Sequence, residues 1–156
     1  MREIEKKTLK KKIIEFDTQI WKKEMMQKPS LKWYRVGKED IGYEICYKND
    51  ISSTYLAKAR TNSLQLEDQI GRGIANYDKT CKLCAEEGED LEHFIVRCPE
   101  LEGKRYQDIM ERELPMTSEE RTTHIRFRNK NYRKIAIMIR GMWEHRKIRK
   151  DSLRPP

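Results

Sequence analysis

Cys81-Lys82-Leu83-Cys84-Ala85-Glu86-Glu87-Gly88-Glu89-Asp90-Leu91-Glu92-His93-Phe94-Ile95-Val96-Arg97-Cys98-Pro99 is the stretch around which the chain is organised. As a pattern it is C-x2-C-x8-H-x4-C, and it places three of the four cysteines and one of the three histidines within 18 consecutive residues. Three thiolates and an imidazole are the donor set that Zn²⁺ takes in a closed tetrahedron. The two-residue gap lets a tight turn aim Cys81 and Cys84 at one ion. Ala85 to Asp90 read as a polar turn in which Gly88 is free to take positive φ. Asp90 is then an N-cap for a helix over 91–97 with Leu91, Phe94 and Ile95 on its apolar face. Residues five apart do not share a face of a regular helix. His93 and Cys98 therefore meet only if the helix breaks at Cys98, where Pro99 disfavours helical geometry.

Four protein ligands leave no open position, so the metal is expected to be one structural Zn²⁺ held by Cys81, Cys84, His93 and Cys98. The bland alternative is three reduced, half-buried cysteines beside a surface histidine. A redox C-x-x-C fits less well because no βαβ pattern surrounds it. A disulfide framework also fits poorly, since nothing in the chain reads as a secretory signal. The expected setting is intracellular, nucleus or cytoplasm.

The same segment resembles the zinc-binding region downstream of the reverse transcriptase domain in non-LTR (LINE-type) retrotransposons. In that family a C-x-x-C is followed by acidic residues, then His-Phe or His-Leu, then Cys-Pro. Upstream, Ala57-Lys58-Ala59-Arg60-Thr61-Asn62-Ser63-Leu64-Gln65-Leu66 resembles the family's Arg-Thr helix with its closing Leu-x-Leu. The likeness covers about residues 30–110. The retroviral zinc knuckle is similar, but its gap between the second Cys and the His is shorter than the eight residues found here. A reverse transcriptase also needs paired aspartates for its catalytic metals, and no Asp-Asp pair occurs. The resemblance thus implies the non-catalytic part of a reverse-transcriptase polyprotein. It also makes Arg60 and Asn62 candidates for phosphate or base contacts. The partners it implies are RNA or DNA, together with a polymerase domain or a second copy of the chain.

The remainder of the 156 residues is highly charged: 38% are Asp, Glu, Lys or Arg, 37% are hydrophobic, and the formal net charge is +8. That balance favours an anionic partner, of which nucleic acid is the usual one. It permits only a thin core, so a metal would supply much of the stability. No apolar run is long enough to span a membrane. The expected fold is mainly α, a short-helix domain with a small irregular zinc-binding module.

Residues 1–28 read as a basic amphipathic helix with a stripe of Ile13, Phe16, Ile20 and Met25, flanked by Trp21. Lys6, Lys7, Lys10, Lys11, Lys12, Lys22 and Lys23 surround it. Residues 30–115 form a helical region that contains the zinc module at 81–98. Within it, Ser30 to Arg35 read as a helical turn, and Tyr43 to Tyr47 as a short strand or connector with a lone Cys46. A helix over about 52–63 turns Tyr55, Leu56, Ala59 and Asn62 inward, with Lys58 and Arg60 elsewhere. Gly71-Arg72-Gly73 lacks the Gly-Lys-Ser/Thr ending of a phosphate loop. Tyr106, Ile109 and Met110 share a helical face, with Leu101 off it.

Residues 117–150 read as basic C-terminal helices, opened by the cap signature Thr117-Ser118-Glu119-Glu120, and 151–156 as a disordered tail. Residues 121–150 hold 11 Lys or Arg against one acid, Glu144. Arg126, Arg128, Lys130, Arg133, Lys134, Arg140, Arg146 and Lys147 are the expected phosphate-contacting set, and such contacts are sequence-independent and salt-sensitive. Tyr132, Ile135, Ile139, Met142 and Trp143 form a helical stripe. The run Ile135 to Ile139 is apolar on all sides and reads as buried on more than one face. A rival reading makes 132–143 a docking surface in a zinc-stabilised protein-interaction module, and another an enzyme fragment dependent on a separate polymerase. His124 and His145 read as polar surface residues. No acid–base constellation and no Gly-x-Ser-x-Gly context occurs, so no catalysis is expected.

Overall fold

The computed structural model describes residues 3–28, 31, 34, 38, 41–42, 44, 48–110, 117–128 and 131–152. The chain is mainly helical, and among these residues there is no strand, only an isolated antiparallel bridge between Thr80 and Gly88. Cys46 and most of the segments expected at 30–35 and 43–47 lie outside the described residues.

The first helix, α1 (Glu3–Met26), is built from strong helix formers with no Gly or Pro before Pro29. Its expected apolar stripe does not face a core. Ile13, Phe16 and Ile20 are 51%, 62% and 43% exposed, and only Met25 is buried. The heptad-like spacing aligns these side chains, but alignment alone supplies no partner.

Helix α2 (Ile51–Arg60) begins where Asp50 caps it: its Oδ1 accepts the Ser53 N–H at 2.9 Å and its Oδ2 the Ser53 hydroxyl at 2.9 Å. It stops three residues earlier than expected, and Asn62 at φ 52° turns the chain away. Leu56 and Ala59 are buried and Tyr55 half-buried. They pack on the last helix, α6 (Tyr132–Ser152), through Ile135, Ala136, Met138, Ile139 and Met142. Each such Leu or Ile contributes roughly 1.5–3 kcal/mol relative to exposure.

One expectation for this region holds and two need correcting. The 135–139 run is buried on more than one face, with Ile135, Ala136, Met138 and Ile139 at most 2% exposed, and it is Ile137 that points outward at 46% exposure. With 3.6 residues per turn it lies opposite the Ile135–Ile139 face. Most of the 132–143 stripe is occupied by the protein's own core, leaving Tyr132 and Trp143 only half-buried. The helix also continues through Ser152, so residues 151 and 152 are not part of a disordered tail, and the rest of the segment expected to form it lies outside the described residues.

Between α2 and α6 come α3 (Glu67–Ile70), the cysteine-rich segment, a 3₁₀ stretch (Pro99–Lys104), α4 (Gln107–Met110) and α5 (Ser118–Thr123). Gly71 is required where the chain passes Tyr77, since a Cβ there would collide with the ring. Leu101 and Ile109 both reach the core. Helix α5 opens on a reciprocal capping box: Thr117 Oγ1 accepts the Glu120 N–H at 3.2 Å, and Glu120 accepts the Thr117 N–H at 2.9 Å. A π-helical turn (His124–Arg128) follows, and it buries His124 rather than leaving it on the surface.

Arg60 and Arg126 tie α2 to this turn and are buried, at 7% and 2% exposure. Arg60 Nε donates to the Arg126 carbonyl at 2.7 Å, and Arg126 Nη1 donates to the Ala59 carbonyl at 3.1 Å. Arg60 is also paired with Glu44. Burial and the neighbouring Arg60 bring Arg126 down to about 10. The exchange adds a donor to the Ala59 carbonyl in the last turn of α2, which also accepts the Asn62 N–H at 3.3 Å.

Candidate metal centre

The Cys81–Cys84 turn is closed by backbone hydrogen bonds. The Ala85 N–H donates to the Cys81 carbonyl at 2.9 Å, and the Cys81 N–H to the Glu87 carbonyl at 2.9 Å. The reversal after Cys84 needs one left-handed residue, and Ala85 supplies it at φ 57°. Gly88, expected to carry the positive φ, does not; it instead forms the bridge to Thr80.

Asp90 caps the following helix as expected, with Oδ1 accepting the His93 N–H at 2.7 Å. Leu91, Phe94 and Ile95 are buried. The helix does not simply break before Cys98. It widens into a π-helical turn (His93–Arg97), in which the Cys98 N–H donates to the His93 carbonyl at 2.8 Å. An i→i+5 turn brings residues five apart onto one face, which a 3.6-residue turn cannot do. Cys98 then takes φ −56°, ψ 117°, the extended conformation that Pro99 imposes on its predecessor. Arg105 locks this exit: its Nε donates to the Ile95 carbonyl and its Nη2 to the Cys98 carbonyl, each at 2.8 Å.

These local geometries bring the Sγ atoms of Cys81, Cys84 and Cys98 and a His93 ring nitrogen within 4.8 Å of one another. Cys81 Sγ lies 4.0 Å from Cys98 Sγ, and Cys84 Sγ lies 3.4 Å from His93 Nε2. A tetrahedron with Zn–S bonds of about 2.3 Å has sulfur–sulfur edges of about 3.8 Å, so the donor set fits such an ion in size and chemistry. Burial pushes the Cys98 thiol up to about 12, with Cys81 and Cys84 adding repulsion, and burial also raises Cys81. A cation among the sulfurs is what would favour their deprotonation. No disulfide joins them.

A second layer of side chains holds the donors. Glu87 Oε1 accepts from His93 Nδ1 at 2.8 Å, leaving Nε2 to face the sulfurs. That contact, with Arg97 beside it, holds the Glu87 carboxyl below its usual range. Behind Cys81 sits a buried charge network. Glu89 Oε1 lies 4.0 Å from Cys81 Sγ and accepts from Arg146 Nε at 2.5 Å. Arg146 Nη2 reaches the other Glu89 oxygen, and Glu67 Oε1 at 3.1 Å. Lys150 and Tyr77 complete the network on Glu67 at 2.5 and 2.6 Å.

Sequence reasoning missed Glu87 and Glu89, because an acid-rich turn reads as a solvated one, and Glu67 and Arg105, because nothing local marks a lone charged residue as buried or bonded. Arg146 did carry a signal: it continues the buried register Ile139, Met142, Arg146.

The residues expected to contact nucleic acid separate into groups. Arg60, Arg126 and Arg146 are buried and spent on internal partners. Asn62 is half-buried, with its Oδ1 buried and unpartnered. Lys134 pairs with Asp108 at 2.6 Å and Arg140 with Glu144 at 2.6 Å. Arg133 and Lys147 are exposed, with no ion pair among the described residues. The side chain of Arg128 and the whole of Lys130 lie outside those residues. No helix of the described chain is long and apolar enough to cross a membrane. No family model, curated protein or solved structure matches the chain.

Proposed function

We propose that this chain is a zinc-stabilised nucleic-acid-binding module of the kind found downstream of reverse transcriptases in LINE-type retrotransposons, and that it performs no chemistry itself. One Zn²⁺ is held by Cys81, Cys84, His93 and Cys98, and its role is structural. The observation that supports this most directly is the convergence of four soft or borderline donors, all supplied by the protein, within 4.8 Å. A catalytic zinc keeps an open position, and this donor set leaves none. The net charge of +8 supports a polyanionic partner, RNA or DNA, gripped through basic helices. Within that reading, Arg146 docks α6 on the metal module, so that the ion steadies the helix that carries the outward cations. A polymerase domain is the expected neighbour.

Native mass spectrometry before and after chelation tests the metal, and titration of RNA and DNA strands at several salt concentrations tests the partner. One zinc, lost together with helicity, and an affinity that falls steeply with salt are the expected results. Folded, zinc-free protein or salt-independent binding would overturn the reading.

A further inference from the structure

We infer that the groove between the start of α2 and the outer edge of α6 is where a nucleic-acid backbone lies. This inference rests on the nucleic-acid reading above and specifies its surface. Of the seven cations on α6, four are engaged in the fold. Arg146 and Lys150 serve Glu67, Lys134 serves Asp108, and Arg149 reaches Glu100. The other three are Arg133, Arg140 and Lys147, which follow one another at seven-residue intervals. That spacing drifts only ~20° per step around a straight helix, so the three form one edge. They stand ~10.5 Å apart, about 21 Å end to end, or roughly six nucleotides of a stacked strand at ~3.4 Å each. Arg140 shares its edge with Glu144, but both groups are solvent-accessible, and such a pair gives way to a phosphate at little cost.

The opposite bank comes from α2 and its approach. A groove of about 460 Å³ opens between them, lined by Lys48, Ser52, Tyr132, Arg133 and Arg140. Further along α2, the exposed Lys58 lies 5.7 Å from the centre of the Tyr55 ring. Tyr55 in turn packs on Trp143, one turn before Lys147. Cations thus flank the track from both helices. Asp50 also lines the groove, but its carboxylate is turned to the Ser53 N–H and hydroxyl as the cap of α2. Five cations therefore face two acids, Asp50 and Glu144, on this edge. The five cations meet phosphate charge rather than base edges, so the grip they supply is independent of sequence.

The test uses the full, zinc-loaded chain and a fluorescently labelled mixed-sequence 12-nucleotide strand, as RNA and as DNA. Two charge-matched triple variants are compared, Arg133→Gln/Arg140→Gln/Lys147→Gln on α6 and Lys6→Gln/Lys10→Gln/Lys22→Gln on α1. Affinity is read by anisotropy across a salt series, with zinc content and circular dichroism as folding controls. The α6 variant should bind about tenfold more weakly at low salt and reduce the slope of log K against log salt by about 2, at roughly 0.7 for each phosphate no longer neutralised. The α1 variant should change affinity by less than about threefold. If the α6 triple does not fold, the exposed single variants Arg133→Gln and Lys147→Gln should each reduce the slope by about 0.7. Equal losses from both triples, or an unchanged slope on α6, would overturn the groove while leaving nucleic-acid binding intact. No salt-dependent binding by the wild-type chain would remove the proposed function and the groove with it.

Discussion

Arg146, near the end of the last helix, grips both carboxylate oxygens of Glu89, whose Oε1 stands 4.0 Å from the sulfur of Cys81. The metal module and the helical core are therefore joined by charge as well as by apolar contact. Burial alone would drive Arg146 toward neutrality, but the hydrogen bond and charge of Glu89 reverse this and raise its pKa.

Removing Arg146 strips the buried Glu89 of its salt bridge, and removing Glu89 leaves the buried Arg146 with the Glu67 contact at 3.1 Å in place of a two-pronged grip. Arg146→Met should cost about 3–5 kcal/mol of stability in chemical denaturation, and Glu89→Leu a similar amount. The double variant should recover much of the loss, because two apolar side chains there leave no orphaned charge on that pair. Strictly additive losses in the double-mutant cycle would show that the two residues do not act as a pair.

Variation of the donors should separate the inner layer from the outer. Cys84→Ser and His93→Ala should each abolish metal binding and unfold residues 80–100, seen as loss of the zinc-bound mass and of helical dichroism. Glu87→Gln leaves four donors in place but loosens the imidazole, so it should keep the ion with affinity weakened about 10–100-fold in a competition titration with a chelator. A Glu87→Gln protein as metal-free as His93→Ala would contradict this ordering.

Ala85 occupies a left-handed conformation that costs an L-residue roughly 1–2 kcal/mol. Ala85→Gly removes that strain but adds backbone freedom to the unfolded chain, worth roughly 0.5–1 kcal/mol. The balance should be stabilising by roughly 0.5–1 kcal/mol, a rise in Tm of about 1–4 °C in thermal melts. A lower Tm would show that Ala85 is not strained.

Burial pushes the Glu67 carboxyl upward, but hydrogen bonds from Lys150 and Tyr77 and the charges of Lys150 and Arg146 outweigh it. The group titrates below its ordinary value of 4.5. Its folded-state pKa is depressed, so its contribution is fully present above about pH 4.5 and is lost as pH falls through the folded value. Wild-type stability should therefore drop more steeply than that of Glu67→Gln between about pH 5 and 3. Parallel stability curves for the two proteins over that range would count against the assignment.

How much of this was legible beforehand followed how local the physics is. The four donors, the Asp90 cap, the Thr117 capping box and the Leu91/Phe94/Ile95 face depend on neighbours within a few residues, and each is found where the sequence placed it. The way His93 meets Cys98 was not legible, because a 3.6-residue period cannot anticipate a turn of five. Arg60 and Arg126 read as cations for a partner, yet each donates to a backbone carbonyl more than sixty residues away along the chain. Helix α1 shows the opposite failure: an aligned stripe with nothing laid against Ile13, Phe16 and Ile20 among the described residues.

The π-helical turn also dictates how the site tolerates insertions and deletions. The four-residue gap between His93 and Cys98 is spanned by that turn, so a residue gained there would carry the Cys98 sulfur past the His93 face and out of the cluster, whereas a residue lost would return the segment to a regular α-helix with the two ligands four apart on one face. Ala85 and Glu86, by contrast, are exposed at the tip of the preceding loop, where added residues can bulge into solvent. Chains that share this architecture should therefore differ in the distance from the second cysteine to the histidine, and agree to within one residue on the distance from the histidine to the last cysteine.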